Sequence, residues 1–269
     1  MNTRLTKEDQ AMIKEAKGNK VSRPIYSEDG LRLLKVLGNP EYLEVKDGVK
    51  AICDDACQGL DNLHEVVLPA SVTDLGTRAF ASCIKLFKIT MPGVDFIGIE
   101  SFAHCENLKE ISLPETLGKI WEGAFASCKA LEQINIPSHL RIIDKSAFRN
   151  SGLKSLNIMI SDDCNCWIFD RAFASCKHLE SVYLNKNVKI VERMAFAGCT
   201  SLKTIEFENP SLTGSIGGIN ATMLIGCTSL EKIIVPKNKY NNYPDFNIQG
   251  FESAQFETRD FNSLITPKE

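Results

Sequence analysis

The sequence predicts an α/β fold: a right-handed solenoid with a parallel sheet on one face and short helical turns on the other. One apolar skeleton recurs eight times along the 269 residues, at intervals of 22 to 28 residues. In each copy apolar residues alternate with polar ones before the copy ends, which is the pattern of a half-buried strand. Units of this length cannot bury an apolar face alone, so they stack on one another into a continuous core.

The unit that begins at Ile120 shows the skeleton. It reads Ile120-x-x-x-Ala124-Phe125-x-x-Cys128-x-x-Leu131-x-x-Ile134-x-Ile136-Pro137. The position of Phe125 is held in the other units by Cys57, Phe80, Phe102, Phe148, Phe173, Phe196 and Leu224. We expect residues 134–136 to form a strand that ends at Pro137, because proline has no N–H for the ladder. We expect residues 120–128 to form a short helical turn whose apolar residues face inward.

The chain divides into four segments that form one structural domain. Residues 1–22 are an N-terminal helix or arm, with a helix at about 6–17 that starts at a capping box from Thr6 to Asp9. Residues 23–48 are a hairpin cap, because Asp29-Gly30 between two extended runs is typical of a hairpin turn. Residues 49–236 hold the eight repeats. Residues 237–269 are a C-terminal cap with the aromatic residues Tyr240, Tyr243, Phe246, Phe251, Phe256 and Phe261.

Composition and charge exclude some classes of protein. The net charge is −3, whereas a nucleic-acid binder normally has a basic domain or stripe. No run of eighteen apolar residues exists, so no membrane span is expected. The N-terminus has no apolar core and does not read as a signal peptide. The chain as written is therefore expected in the cytoplasm, unless a leader has been removed.

The repeat resembles a known family. A period of 20–29 residues with Leu-x-x-Ile-x-Leu is typical of leucine-rich repeats. The Ala124-Phe125-x-x-Cys128 portion is similar to the BspA-like leucine-rich repeats, also described from treponemal-type surface repeats, and the resemblance covers residues 23–236. It implies a bacterial or protist protein that is secreted or on the cell surface, with a role in adhesion. The motif carries no catalytic residue.

Ten cysteines invite a metal or disulfide interpretation. Six share one repeat position: Cys83, Cys105, Cys128, Cys176, Cys199 and Cys227. We interpret them as buried free thiols, which behave as small apolar groups, because Leu60 and Ser151 replace them without a change elsewhere. Cys164-x-Cys166, beside Asp162 and Asp163, leaves metal binding or pairing open, but it lacks the paired Cys-x-x-Cys spacing of zinc sites. We predict no metal and no cofactor.

The outward face of the strands is the predicted working surface. One outward column is Glu65, Lys88, Glu110, Gln133, Ser155, Ser181, Thr204 and Lys232. The next is Val67, Thr90, Ser112, Asn135, Asn157, Tyr183, Glu206 and Ile234. The candidate partner-binding residues are Gln133, Asn135, Asn157, Tyr183 and Glu206. Loops where the period breaks, at 159–167 and 208–218, are further candidates.

These observations predict a non-enzymatic protein-binding module, a surface antigen or adhesin. Tyr183 is the expected anchor, because tyrosine is enriched at binding hot spots. Substituting Tyr183 and Asn157 should weaken partner binding without unfolding. A glycan-binding protein and an intracellular scaffold are the alternatives. An enzyme would need clustered acid or base groups in a cleft, which the repeats do not supply.

Overall fold

The computed structural model describes residues 2–19, 23–209, 221–236 and 255–259. Most of the predicted C-terminal cap, including five of its six aromatic residues, lies outside these residues. The predicted loop at 208–218 is described only as far as Asn209.

The N-terminal segment contains a helix followed by a hairpin. Helix α1 spans Lys7–Gly18 and begins at a capping box, in which Thr6 Oγ1 accepts from the Asp9 backbone N–H at 3.1 Å and the Asp9 carboxylate accepts from the Thr6 N–H at 2.8 Å. Strand β1, Pro24–Tyr26, pairs antiparallel with β2, Arg32–Val36. Gly30 has a φ of 72° in the turn between them. No helix in the described residues is long and apolar enough to cross a bilayer.

The repeats build two parallel sheets. The first, which we call the continuous sheet, has nine strands in the order β1-β2-β4-β6-β8-β10-β11-β13-β15. Its repeat strands are β4 Ala51–Ile52, β6 Asp74–Leu75, β8 Phe96–Ile97, β10 Lys119–Ile120, β11 Ile142–Ile143, β13 Cys166–Ile168 and β15 Val188–Val191.

The second sheet, which we call the interrupted sheet, is divided into two parts. Four strands pair in the order β3 Tyr42–Glu44, β5 Glu65–Val67, β7 Lys88–Thr90 and β9 Glu110–Ile111. Five strands pair in the order β12 Ser155–Ile158, β14 Ser181–Leu184, β16 Thr204–Phe207, β17 Lys232–Pro236 and β18 Gln255–Arg259. The parallel-sheet solenoid is thus confirmed. Strands β3 and β18 extend this ladder beyond the predicted repeat boundaries of 49 and 236.

The path between the two sheets consists of turns, so the helical turn predicted at 120–128 is wrong. In that unit Gly123 and Ser127 flank Phe125 with φ angles of 62° and 61°. A left-handed residue on each side prevents a run of right-handed helical residues. Among the described residues, only Ala221–Leu224 form a 3₁₀ helix on this path.

A phenylalanine stack runs through the core. Phe80, Phe102, Phe125, Phe148, Phe173 and Phe196 are each fully buried. Consecutive ring centroids are 5.1 to 5.5 Å apart and the ring planes differ by no more than 10°. This distance is close to the strand spacing of about 4.8 Å, so each coil places its ring directly over the ring of the preceding coil.

Candidate binding surface

The predicted outward columns exist on both parts of the interrupted sheet. Lys88 pairs in register with Glu65 and Glu110, and Tyr183 pairs in register with Asn157 and Glu206. The columns differ from the prediction at their C-terminal end, where Ile234 is buried.

The ladder stops at residues 133–136, which we call the interruption. No strand forms there, so the strand predicted at 134–136 is wrong. The backbone groups of Gln133, Ile134 and Asn135 have no backbone hydrogen-bond partner among the described residues. Regular pairing is present on either side: the Ala130 N–H donates to the Glu106 carbonyl, and the Lys154 N–H donates to the Glu132 carbonyl, both at 3.0 Å.

Two core isoleucines become partly exposed at the interruption. The inward position that Ile111 and Ile134 occupy is at most 3% exposed in the other units, at Val66, Ile89, Leu156, Val182, Ile205 and Ile233. Ile111 and Ile134 are only half-buried against the core. The missing backbone pairing therefore coincides with an opening in the apolar wall.

A groove of about 870 Å³ lies over this opening. Ile111, Ile134 and the buried side chains of Ile89, Met91 and Leu113 contribute its apolar lining. Its polar lining includes Lys88, Thr90, Lys109, Glu110, Ser112, Gln133, Asn135, Ser155 and Asn157. The groove thus combines apolar area with hydrogen-bonding groups, as protein-binding surfaces commonly do.

Three of the five predicted site residues line this groove. Gln133, Asn135 and Asn157 are exposed. No hydrogen bond from their side chains to another described residue is present, so their amide groups are available to a ligand. They carry donors and acceptors but no charge.

The other two predicted residues belong to a separate cluster nearer the C-terminal end. The Tyr183 hydroxyl donates to Glu208 Oε2 at 3.0 Å. Burial raises the pKa of Tyr183, and the hydrogen bond to the Glu208 carboxylate adds to this effect. Glu206 forms an ion pair with Arg259 at 2.5 Å. Tyr183 is therefore a half-buried residue whose hydroxyl already has a partner within the protein.

The six cysteines of the shared column are free and buried, as predicted. In the shared column each thiol is in hydrogen-bonding distance of a carbonyl in the preceding coil: Cys105 Sγ lies 3.1 Å from the Phe80 oxygen and Cys128 Sγ 3.2 Å from the Phe102 oxygen. Burial raises the pKa of Cys83 to about 12 and that of Cys105 well above its usual range. The protonated thiols therefore serve as donors to buried carbonyls, which explains the preference for cysteine here.

The region around Cys164 and Cys166 does not form a metal-binding cluster. Within the described residues, no group of three or more His, Cys, Asp or Glu side chains converges on one point. Cys164 donates to the His139 carbonyl at 3.4 Å, and Asp162 is held by Lys186 and by the Asn187 side chain. The cysteine and carboxylate groups thus have separate structural partners.

The interruption could not be predicted from the sequence, because the repeat motif there is intact. The nearest departure from the motif is in the next unit, which has one residue fewer between Phe148 and Leu153 than the other units have at these positions. Its Gly152 passes so close to the preceding coil that an added Cβ would lie 1.9 Å from the Lys129 carbonyl oxygen. This shortened unit is the one local signal beside the break in the ladder.

The fold defines the class of protein: a parallel β-solenoid built from leucine-rich repeats. A family model described as "BspA type Leucine rich repeat region (6 copies)" matches residues 50–165 and 166–262. The chain belongs to this BspA-type family. A search of the curated proteins gave no match.

Several solved structures share similarity with the chain. The T. pallidum leucine-rich repeat protein is 24% identical over 69% of this chain and 82% of its own, with a TM-score of 0.46. The pneumococcal vaccine antigen PcpA is 17% identical over 89% and 83%, with a TM-score of 0.48. A leucine-rich cell surface protein from Faecalibacterium prausnitzii A2-165 is 19% identical over 79% and 86%, with a TM-score of 0.42.

Proposed function

We propose that this protein is a non-enzymatic binding module that holds a protein partner in the groove over the interruption. The observation that carries the proposal is the partial exposure of Ile111 and Ile134. The repeat position that they occupy is buried in every other described unit. Burying apolar area of this kind is the main favourable term in protein association.

The polar lining gives the groove its means of selecting a partner. Within the described residues, the side-chain amides of Gln133, Asn135 and Asn157 are unpaired, and the backbone groups of residues 133–135 lack ladder partners. A polypeptide supplies apolar side chains together with backbone donors and acceptors, so it complements both features. The surface antigens and adhesins suggested by the family resemblance are proteins of this kind.

A glycan is the second candidate ligand, favoured by the same three amides. Sugar rings commonly stack on aromatic side chains, but the described lining of the groove contains no aromatic residue. The apolar lining is aliphatic, which fits leucine-like side chains of a protein better than the face of a sugar ring.

Two parallel screens test the proposal. A displayed library of protein fragments and a glycan array would both be probed with the full chain. We expect enrichment of protein fragments that lose at least about tenfold in affinity, or 1.4 kcal/mol, on Ile134→Lys and on Asn135→Arg. The matched control is Lys177→Glu, an exposed site on the turns between the sheets, and it should bind as the unmodified chain does.

Two results would refute the proposal. One is binding restricted to glycans. The other is protein binding that Ile134→Lys and Asn135→Arg leave unchanged while both variants remain folded by circular dichroism.

The predicted roles of Asn157 and Tyr183 can be separated in the same assay. Asn157→Ala removes an amide from the groove lining and should weaken binding by about 1 kcal/mol, the usual value for one hydrogen bond. Tyr183→Phe removes a hydroxyl that already donates to Glu208, so it should leave affinity unchanged. Equal losses from both would place the contact surface nearer the C-terminal end.

A further inference from the structure

The outer face of the continuous sheet is covered at its N-terminal end. Alternate strand residues face opposite sides, so Leu34, Ala51 and Cys53 point away from the core positions of Leu33 and Ile52. All three are nevertheless fully buried. The N-terminal segment accounts for this burial, since α1 packs on β1 and β2.

Polar contacts fix α1 to this face. Its Asp9 forms an ion pair with Arg32 of β2 at 2.9 Å, and both side chains are largely buried. Just before the helix, the Thr3 carbonyl accepts from the Asp54 backbone N–H at 2.9 Å. The chain itself therefore shows how this face is covered, with an amphipathic helix whose acidic residue meets a basic residue of the sheet.

Further along, the same face carries a row of apolar side chains, which we call the aromatic stripe. The stripe consists of Phe96, Trp121, Ile142, Trp167, Phe169 and Ile190. Trp167 pairs in register with Ile142 on one side and Ile190 on the other. The Phe96 and Trp121 rings lie 5.2 Å apart. Ile190 is 45% exposed and the other five are half-buried. Lys119 Nζ covers part of Trp121, 3.4 Å from the ring centroid, so the described residues leave the stripe partly open to solvent.

The border of the stripe is basic at its C-terminal end, whereas the exposed Asp95 and Glu122 adjoin Phe96 and Trp121 at the other end. Its exposed charged residues on the C-terminal side include Arg141, Lys145, Lys189 and Arg193. Of the carboxylates at this end, Asp144 pairs with Lys119 at 2.8 Å and Asp170 with Arg171 at 2.6 Å. Glu192 accepts a hydrogen bond from the Asp170 backbone N–H at 2.9 Å. An incoming surface with acidic groups would therefore be complementary.

We infer that the aromatic stripe binds an amphipathic helix of a partner protein, with an apolar face against the stripe and acidic flanks against its basic border. The dimensions match. The stripe crosses five strands, about 19 Å at a spacing of about 4.8 Å, which a helix of about 13 residues spans. The 12 residues of α1 are nearly the same length. A helix that lies across the strands has a pitch of 5.4 Å, close to the strand spacing, so about one apolar residue per turn would lie over each strand.

Tryptophan fluorescence gives a direct test, because the only two tryptophans of the chain both lie in the stripe. The probes are three synthetic peptides of about 13 residues. The first has a leucine face and a glutamate-rich polar face, the second has the same leucine face with lysines, and the third has the composition of the first in scrambled order. We expect the first to shift the emission to shorter wavelength and to saturate. The other two should need at least about tenfold higher concentration.

Substitutions that keep both tryptophans locate the contact. Ile190→Glu should weaken binding of the first peptide at least about tenfold. The matched control is Ile225→Glu on the turns between the sheets, where Ile225 is 51% exposed, and it should bind normally. Arg193→Glu, at a side chain that is 71% exposed, should weaken the acidic peptide and strengthen the basic one, and it keeps the test valid if Ile190→Glu is unstable.

Several outcomes would overturn the inference. Equal binding of the scrambled peptide would show that the stripe does not recognise an amphipathic helix. A spectral shift with anionic phospholipid vesicles but with none of the peptides would indicate a membrane surface instead. Dimerisation in sedimentation that Ile190→Glu abolishes would indicate a second copy of the chain. Unchanged binding of the first peptide by Ile190→Glu and Arg193→Glu would remove the stripe as the site.

Discussion

The two sheets of this solenoid are built from the same repeat, yet one is continuous and the other is broken. In the continuous sheet, Ile120 pairs with Ile97 on one side and Ile143 on the other, through the unit that contains the interruption. In the interrupted sheet the same unit pairs with neither neighbour between residues 133 and 136. The phenylalanine stack between them is unbroken, with Phe102, Phe125 and Phe148 at 5.3 and 5.1 Å.

This difference shows that the core holds the coils in line even where one ladder is missing. A missing ladder costs only those hydrogen bonds that water can replace, and each net bond contributes about 1 kcal/mol. A missing ring in the stack would cost several times more. The repeat can therefore vary on the interrupted sheet while its apolar skeleton stays constant.

Hydrogen exchange should give the largest contrast between the sheets. The amides of Gln133, Ile134 and Asn135 have no backbone acceptor in the part of the chain that the structure describes. The Gly98 and Asp144 amides, in contrast, donate across the continuous sheet at 2.9 Å. The paired amides should exchange only through large-scale opening, which costs about 5 kcal/mol or more. Amide exchange measured by NMR should show the first group exchanging at least about a thousandfold faster. Comparable protection would mean that the ladder closes in solution.

Core truncation should affect the broken and the regular regions equally. We expect Phe125→Ala, beside the interruption, and Phe173→Ala, in the fully paired region, each to lower the free energy of unfolding by about 3–5 kcal/mol. Urea denaturation followed by circular dichroism measures both. A much smaller loss for Phe125→Ala would show that the interruption loosens the core as well as the surface.

Acid should release the helix that covers one end of the continuous sheet. Burial alone would raise the pKa of Asp9, but hydrogen bonds from the Thr6 N–H and Arg32 outweigh this and lower it. The ionised Asp9 therefore stabilises the folded state fully at a pH above its unfolded pKa of about 3.9. This stabilisation is lost as the pH falls through the lower pKa that Asp9 has in the folded state. Asp9→Asn should lower the free energy of unfolding by about 3 kcal/mol at neutral pH, because it leaves the largely buried Arg32 without the carboxylate of Asp9.

Two measurements check the Asp9 prediction. Limited trypsin digestion should cut at Lys7 and Lys14 faster in Asp9→Asn than in the unmodified chain. Stability should fall more steeply below about pH 4 in the unmodified chain than in the variant. Parallel pH curves for the two proteins would remove Asp9 as the titrating group.

A pair of isoleucine truncations gives the finest comparison. Ile143 of the continuous sheet is fully buried, whereas Ile134 at the interruption is half-buried. Ile143→Ala should cost about 2–5 kcal/mol, and Ile134→Ala about 2 kcal/mol less because water already reaches it. Equal losses in thermal unfolding would mean that the groove over Ile134 is closed in solution.

The sequence predicted the repeat register well, because the register depends only on which positions of each unit carry large apolar side chains and which carry polar ones. The positions of Phe125, Cys128 and Leu131 are core in every unit, and no tertiary information is needed to align them. The helical turn at 120–128 could not be excluded in this way, since Ala124 and Phe125 suit a helix by spacing. The left-handed backbone at Gly123 and Ser127 decides that point, and serine gives no sequence signal for it.

The candidate site was predictable only in part. Gln133, Asn135 and Asn157 follow from the outward register, and they share the groove. Tyr183 and Glu206 follow from the same register, but their partners Glu208 and Arg259 are 25 and 53 residues away in the chain. Such pairing depends on how successive coils stack, which a single unit does not encode.

By itself the sequence determined the solenoid, the buried thiols and the residues that face outward, because periodic apolar burial dominates the free energy of a repeat protein. The tertiary structure decided where the ladder breaks and which outward residues meet. It also decided that the residues before the turns form the continuous sheet, which carries the aromatic stripe. These features depend on offsets between neighbouring coils, such as the close passage of Gly152 over Lys129, and on contacts between residues far apart in the chain.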